Sequence, residues 1–324
     1  DHARFVDVDL SGAELNGTLM RGVYFENVNF KGTNLDGAYL QHCDFLNCDL
    51  EKVNFRLSKF DSNTSFRLCT LNQTRFDNCN NLRGVVFYRG PIKEAVFYNA
   101  NLSGAKFTEV ELTRSNFKGA NLSNTDFYGS IINDVNFTEA DLSGSKIHAA
   151  TIEGHLRLIR TRLSGAFLGD LDISKVDISY VDWGNKNYFL GEETVADKID
   201  INAGSIQEKQ NNYAQAEIIY RVLADKYRDS GQINEYLKLH FRSLETRRKL
   251  LSMHNTFWNL EYLWLSCSKY IDGYGTRIDI LLLAIIITIF VFSLIYSFGW
   301  TIFHGNWAKW YKTEPDGRGF LMGN

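Results

Sequence analysis

A large apolar side chain returns at every fifth position along most of this chain, from Phe5 to Trp183. This period matches neither an α-helix, with about 3.6 residues per turn, nor a strand, with a period of about two. The backbone must therefore turn after each five-residue unit. One inserted residue before Phe66 and another before Leu82 shift the series, which then runs to Ile152 and resumes at Leu163.

A second period, of twenty residues, predicts how the turns stack. The motifs ANLSG, ANLSN and ADLSG begin at Ala100, Ala120 and Ala140. With four units per coil, residues twenty positions apart would lie directly above one another in successive coils. The coils would pair through parallel backbone hydrogen bonds about 4.8 Å apart, and their side chains would fill the core. Two phenylalanine columns are expected: Phe5, Phe25, Phe45, Phe66, Phe87, Phe107 and Phe127 on one face, and Phe76, Phe97, Phe117 and Phe137 on the opposite one.

The cysteines follow the same register. A small residue stands two places before each large one, and Cys43, Cys48 and Cys69 occupy that position, while Cys79 is displaced by one at an insertion. The five cysteines show no CxxC spacing, so neither a disulfide framework nor a zinc site is expected. We interpret the four early cysteines as small core residues.

The repeated pattern A-[DN]-[LF]-x-x over residues 3–183 resembles the pentapeptide-repeat family. The resemblance implies a mainly β fold for residues 1–183, a right-handed quadrilateral parallel β-helix. Some members of that family resemble DNA and act on topoisomerases, which requires a strongly acidic surface. Here 35 Lys and Arg nearly balance 38 Asp and Glu, so we expect no nucleic-acid partner, and a DNA mimic remains only an alternative.

One basic segment interrupts the repeat. HAATIEGHLRLIRTR breaks the register and carries His155, Arg157, Arg160 and Arg162. These four residues are a candidate interaction patch for a phosphate, a lipid headgroup or an acidic partner protein. The alternative is a solvated bulge on the coil.

The composition becomes helical after Trp183. Residues 184–204 are expected to form a connector or cap, and residues 205–271 a helical linker. Tyr213, Ala216 and Tyr220 lie at helical spacing, and a second helix carries Ile233, Leu237, Phe241, Leu244 and Leu251 on one face. The two should form an α-helical hairpin. Residues 255–270 are rich in Trp and Tyr, which indicates an interfacial helix or, alternatively, an ordinary core helix.

The segment Ile280–Trp300 is strongly apolar and contains no charged residue. As a helix it would be about 30 Å long, which matches a bilayer core. A buried core helix is the alternative, but Arg277 and Lys309 are among the charged residues that flank the run and favour a membrane. We predict one transmembrane helix over 276–303 and a short extracytoplasmic tail over 304–324. Since no signal peptide precedes the repeats, the β-helix is expected in the cytoplasm, with membrane lipid as a partner.

Two smaller features accompany the apolar run. Gly273 and Gly275 belong to a Gly-Tyr-Gly that resembles a potassium-channel filter but precedes the run, so they are interpreted as a hinge. A helix-packing or pore face is expected from four small residues within the run, and with it a homo-oligomer formed through the membrane helix and the helical linker. The four residues are Ala284, Thr288, Ser293 and Ser297.

The order of repeats, hairpin and apolar run resembles bacterial membrane proteins that join pentapeptide repeats to a two-helix, potassium-channel-like module. The resemblance implies a β-helix that acts as sensor or assembly scaffold for an oligomeric, ion-channel-like module, whose filter is expected beyond Asn324. The alternative is a membrane-tethered interaction scaffold that does not conduct. No catalytic or nucleotide-binding motif occurs, so no enzyme activity, cofactor or metal is expected, and the β-helix surface should bind an unidentified protein.

Overall fold

The computed structural model describes residues 3–147, 150–169, 172, 176–178, 180–184, 190–200, 205–253, 259–271, 285–294 and 296. The chain divides into two units, Asp1–His254 and Asn255–Asn324. Each unit is described by itself.

The first unit begins with a parallel β-solenoid, as the repeat predicts. Strands and single bridges pair positions twenty apart, for example Phe5 with Phe25, or twenty-one apart across an insertion, as with Phe45 and Phe66. Every pairing in the eight-stranded sheet is between strands consecutive in the chain. The strands are β1 (Arg4–Val6), β2 (Tyr24–Glu26), β3 (Asp44–Leu46), β4 (Ser65–Arg67), β5 (Val86–Lys93), β6 (Lys106–Thr113), β7 (Ile131–Asn133) and β8 (Thr151–Ile152), with β9 (Leu156–Arg157) and β10 (Val176–Asp177) forming a second, two-stranded sheet.

The corners of the coil explain the residue types around each large side chain. The second residue after it adopts a left-handed backbone, with φ +66° at Gly12 and +55° at Asn27. Glycine and asparagine tolerate that conformation best, which is why they recur there. The residue before the large one closes the turn, since Asp9 Oδ1 accepts a hydrogen bond of 2.9 Å from the backbone N–H of Ser11.

The two predicted phenylalanine columns are confirmed. Rings of the first column stack with centroids 4.7 Å apart between Phe87 and Phe107 and 5.4 Å apart between Phe5 and Phe25. The second column also includes Phe55, which stacks on Phe76 at 5.0 Å. The columns meet edge to face in the core, as in the 5.8 Å contact of Phe66 with Phe76. From Phe5 to Phe137 the rings, together with buried leucine and isoleucine side chains, therefore fill the interior of the described coils.

The predicted break before Leu163 proves smaller than expected. Leu158 is buried, six positions after Ile152, and Asn136 forms its bridge with Arg157, one position beyond the usual spacing of twenty. The segment is therefore a coil with a single inserted residue. The pattern was obscured because the insertion falls at a corner, where the chain can lengthen without moving the core positions.

Within its described residues, the first unit also contains the helices α1 (Gly191–Lys198), α2 (Ile206–Asp229) and α3 (Ile233–Ser252). The helix α1 lies within the segment interpreted as an irregular connector. The pair α2–α3 is antiparallel, since Ser243 Oγ donates to Glu217 Oε1 at 3.4 Å, and Gly231 with φ +75° forms the turn between them.

The hairpin packs differently from the prediction for its second helix. The buried face of α2 is the predicted one, with Tyr213, Ala216 and Tyr220. In α3, however, the buried residues are Leu239, Ser243, Glu245 and Thr246, and the expected apolar face is only partly covered, with Ile233 53% exposed. The inward face of α3 therefore combines Leu239 with polar side chains, which the apolar spacing does not predict.

The second unit contains α4 (Leu260–Ile271) and the helical residues 285–294. Among the residues with a described structure, no helix is both long and apolar enough to cross a bilayer. Most of the predicted span 276–303 lies outside the described residues, as do the hinge residues Gly273 and Gly275, and Ala284 and Ser297 of the predicted helix-packing face.

Candidate functional site

The four residues of the candidate basic patch are all exposed but do not form one basic cluster. Arg160 and Arg162 line a shallow surface depression together with carboxylates from the neighbouring coils. His155 and Arg157 lie outside it. The depression is lined by Gly119, Ala120, Asn121, Glu139, Ala140, Asp141, Arg160, Arg162 and Asp182.

Ion pairs neutralise much of the charge in that depression. Arg162 Nη1 lies 2.8 Å from Asp141 Oδ2, and its Nε lies 3.4 Å from Asp182 Oδ2. Arg160 Nη1 lies 3.7 Å from Glu139 Oε1. The pKa of Arg162 is raised, first by the charge of Asp141 and then by its hydrogen bonds. A phosphate would have to compete with three carboxylates, so this geometry does not resemble an anion site.

The same alternation of charges extends along the β-solenoid. Coils are linked by Arg4 with Glu26, Lys31 with Glu51, and Arg89 with Glu109, all at 2.6–2.7 Å. Such exposed pairs contribute little stability. Their effect is to leave a surface on which both signs alternate at the coil spacing.

The cysteines of the repeat are buried and free, as predicted for core residues. Burial raises the pKa of Cys43 to about 11 and that of Cys79 to about 12. Thiols with such pKa values carry almost no thiolate near neutral pH and are poor nucleophiles. Cys267 of α4 is the exposed cysteine among the five.

The C-terminal end of the solenoid carries a buried ionic cluster that is absent from the sequence-based predictions. Glu193 of α1 is fully buried, and its Oε1 accepts from Lys249 Nζ of α3 at 3.0 Å. Tyr220 OH of α2 donates to Glu193 Oε2 at 2.7 Å, and Arg242 Nη1 lies 3.7 Å from Glu193 Oε1. Lys249 also donates to Asp197 at 2.9 Å. One carboxylate thus joins all three helices.

Burial alone would lower the pKa of Lys249, but its bonds to Asp197 and Glu193 outweigh this effect and raise it. The neighbouring Glu192 has a raised pKa because of its burial, although Gly169 N donates to its Oε1 at 2.8 Å. A weak signal existed in the sequence: Arg242 and Lys249 are seven apart on one face of a helix.

Hydrogen bonds made by the polar groups of aromatic side chains attach α2 to the last coils. Trp183 Nε1 donates to Tyr227 OH at 3.0 Å, and Tyr227 OH donates to the carbonyl of Ile178 at 3.0 Å. Burial raises the pKa of Tyr227 to about 12. Gly191 lies so close to the coil that a Cβ would approach the ring of Phe167 to 2.5 Å. The helices thus cover the end of the solenoid core.

The second unit exposes apolar surface that no described residue covers. The eight apolar side chains among residues 285–294 have exposed fractions from 44% to 67%, and Thr288 and Ser293 are exposed as well. A helix that is apolar on every side is expected in the core of a large protein or in a membrane. Across the described ranges, no cluster of His, Cys, Asp and Glu could hold a metal ion.

Comparison with protein families matches most of the solenoid. Residues 20–97 match a model described as a pentapeptide repeat region, and residues 95–134 and 120–154 match one described as pentapeptide repeats in eight copies. No curated protein matches the chain.

Solved structures with a similar fold include QnrB1, described as a plasmid-mediated fluoroquinolone resistance protein. It is 21% identical, with a TM-score of 0.40 over 57% of this chain and 91% of QnrB1. HetL, described as involved in heterocyst differentiation regulation in the cyanobacterium Nostoc sp. strain PCC 7120, is 19% identical, with a TM-score of 0.39 over 56% of this chain and 84% of HetL.

These scores carry no argument about activity. The assignment rests on the family models together with the register of five and twenty residues that the strands and bridges show. Residues 20–154 of this chain therefore belong to the pentapeptide-repeat family.

Proposed function

We propose that this protein is a membrane-anchored, non-enzymatic scaffold whose β-solenoid stands in the cytoplasm. The observation that carries the proposal is the helical segment 285–294, whose apolar side chains are exposed on every side. In water each of these side chains would cost free energy in proportion to its apolar area. In the hydrocarbon of a bilayer, the same exposure is favourable.

The rest of the chain suits a scaffold. The solenoid core is a packed column of side chains over its described residues. The surface alternates positive and negative side chains along the coils, which suits protein contacts and lacks the acidic character that a DNA mimic requires. The scaffold would serve an oligomeric, channel-like membrane module, because the order of repeats, hairpin and apolar run resembles that of proteins with such a module.

Anchoring is tested by two lysines within the apolar segment. In the full chain, Ile287→Lys with Phe290→Lys places two charges where a lysine costs about 3 kcal/mol at the centre of a span. We expect the wild type to stay in the membrane fraction after alkaline carbonate extraction and the double variant to be released. The matched control is Ile218→Lys with Val222→Lys, two exposed apolar positions of α2, which should leave the partition unchanged. Release of the wild type by carbonate would overturn the anchor.

Conduction is tested separately in planar bilayers with the full-length protein. Reproducible unitary currents would support the channel-like module. If no current is recorded with any ligand tested while the protein remains anchored, the alternative of a tethered interaction scaffold that does not conduct is favoured.

A further inference from the structure

The helix α4 has a continuous exposed apolar stripe on one face. Leu260, Leu263, Trp264 and Cys267 follow the i, i+3, i+4, i+7 spacing of a single helix face. The first three are 81%, 42% and 63% exposed, and Cys267 is exposed too. On the far side of the helix, Leu265 is only 1% exposed. The helix therefore presents one apolar face outward, while the opposite face is covered.

We infer that this stripe lies in the interface of the lipid bilayer, with α4 along the membrane surface rather than across it. The inference deepens the proposed function and rests on it. Chain continuity points to lipid as the occupant, because only the thirteen residues 272–284 separate α4 from the apolar helical segment 285–294. Thirteen residues span at most about 45 Å, so α4 remains within reach of the bilayer that holds that segment.

The chemistry of the stripe agrees with that position. Tryptophan favours the membrane–water boundary because its ring is apolar and its N–H is polar. The charged residues of α4, Glu261 and Lys269, lie off the stripe and balance each other. Insertion should therefore depend on apolar burial and not on anionic lipid. Membrane affinity of α4 is expected to be the same on zwitterionic and on anionic vesicles.

The exposed thiol supplies the probe. Cys267 can be labelled selectively with an environment-sensitive fluorophore, because the other four cysteines are at most 2% exposed. The full chain is then reconstituted in phosphatidylcholine vesicles. We expect a blue-shifted emission and a loss of intensity that is larger with lipids carrying a nitroxide near the headgroup than with lipids carrying it deep in the acyl chain.

Two control labelling sites test the position of α4 independently of the membrane anchor. In the Cys267→Ser background, Glu261→Cys places the label off the stripe, where the emission should resemble that in water. In the same background, Ser293→Cys places it in the apolar helical segment, where deep nitroxides should quench most.

A water-like signal at Cys267 with deep quenching at Ser293→Cys would overturn the interfacial position of α4 and leave the anchor standing. Water-like signals at both positions would overturn the anchor together with the inference. Equal quenching at Cys267 and at Glu261→Cys would refute a one-sided interfacial helix.

Discussion

At the scale of single residues, each position of the five-residue unit satisfies one local structural requirement. The small residue that precedes the large one by two places often donates to a carbonyl of the preceding coil: Thr33 Oγ1 to Leu10 at 2.7 Å, and Ser58 Oγ to Leu35 at 2.6 Å. Each of these carbonyls also accepts a backbone N–H from its own coil, so the bond chiefly satisfies the buried hydroxyl, which would cost free energy if left without an acceptor. Thr, Ser and Cys are therefore suited to this position as well as Ala.

The large residue carries the packing energy, which Phe97 tests. It is fully buried and stacks on Phe76 at 4.9 Å and on Phe117 at 4.6 Å. Phe97→Ala should lower the free energy of unfolding by about 3–5 kcal/mol, because the neighbouring coils cannot close the cavity. Denaturant unfolding followed by circular dichroism measures the loss.

The matched control is the next residue along the chain. Tyr98 is 40% exposed, and Tyr98→Ala should change the free energy of unfolding by about 0.5 kcal/mol or less. Equal losses in the two variants would contradict the filled-column description of the core.

At the scale of elements, the cap is held by buried polar contacts. The fully buried Glu193 receives Lys249 and Tyr220 from two different helices. A buried carboxylate that loses its cation is strongly destabilising, even where the intact pair contributes little compared with an apolar replacement. The cluster therefore fixes the orientation of α3 relative to α1 more than it adds stability.

Lys249→Met tests this cluster. We expect a loss of about 3 kcal/mol, at the lower end for a broken buried pair, because Arg242 and Tyr220 still face Glu193. The loss should appear in urea unfolding and as new protease cleavage in α3. Lys238→Met is the control on the same helix: its exposed pair with Glu235 should contribute less than about 1 kcal/mol.

The pH dependence follows from the sign of the shift. Since the folded-state pKa of Lys249 is raised, its contribution is fully present below the unfolded pKa of about 10.4 and is lost as the pH rises through the folded value. The difference between wild type and Lys249→Met should therefore be constant near neutral pH and shrink as the pH rises through the folded-state pKa of Lys249. A difference that persisted unchanged in strong alkali would argue against this assignment.

At the scale of the whole molecule, the solenoid behaves as a stack of equivalent layers. The backbone pairings join each coil to its neighbours, at a nearly constant separation of twenty or twenty-one positions along the chain. Such a stack tolerates the loss of a whole layer but not of part of one.

Deletion of residues 101–120 removes one coil and joins Ala100 to Asn121. Asn121 then takes the place of Asn101, whose N–H donates to the carbonyl of Cys79 at 2.9 Å. We expect a folded, cooperatively unfolding protein with β-type circular dichroism. Deletion of residues 101–117 removes almost as much chain but turns polar side chains toward the core, and it should prevent folding of the following coils. Similar behaviour of the two deletions would refute the layer register.

The fold of the repeat could be predicted from sequence because the same local solution recurs at every unit. The Phe45–Phe66 pairing, the corner glycines and the inward cysteines all follow from one register. The charge pairs of Arg162 with Asp141 and Asp182 were also readable from it, once the inserted residue was placed correctly. The candidate interaction patch itself stays a prediction.

The helical cap was decided by tertiary structure alone. The short helix α1 has little intrinsic stability and forms against Ala166, whose carbonyl accepts from Gly191 N at 2.8 Å. The face that α3 buries carries Ser243 and Thr246 beside Leu239, a combination that the hydrophobic pattern does not predict. The bond of Lys249 to Glu193 joins residues 56 apart in the chain. The sequence by itself determined whatever repeats at a fixed separation, whereas contacts without a fixed separation depended on how the folded surfaces fit.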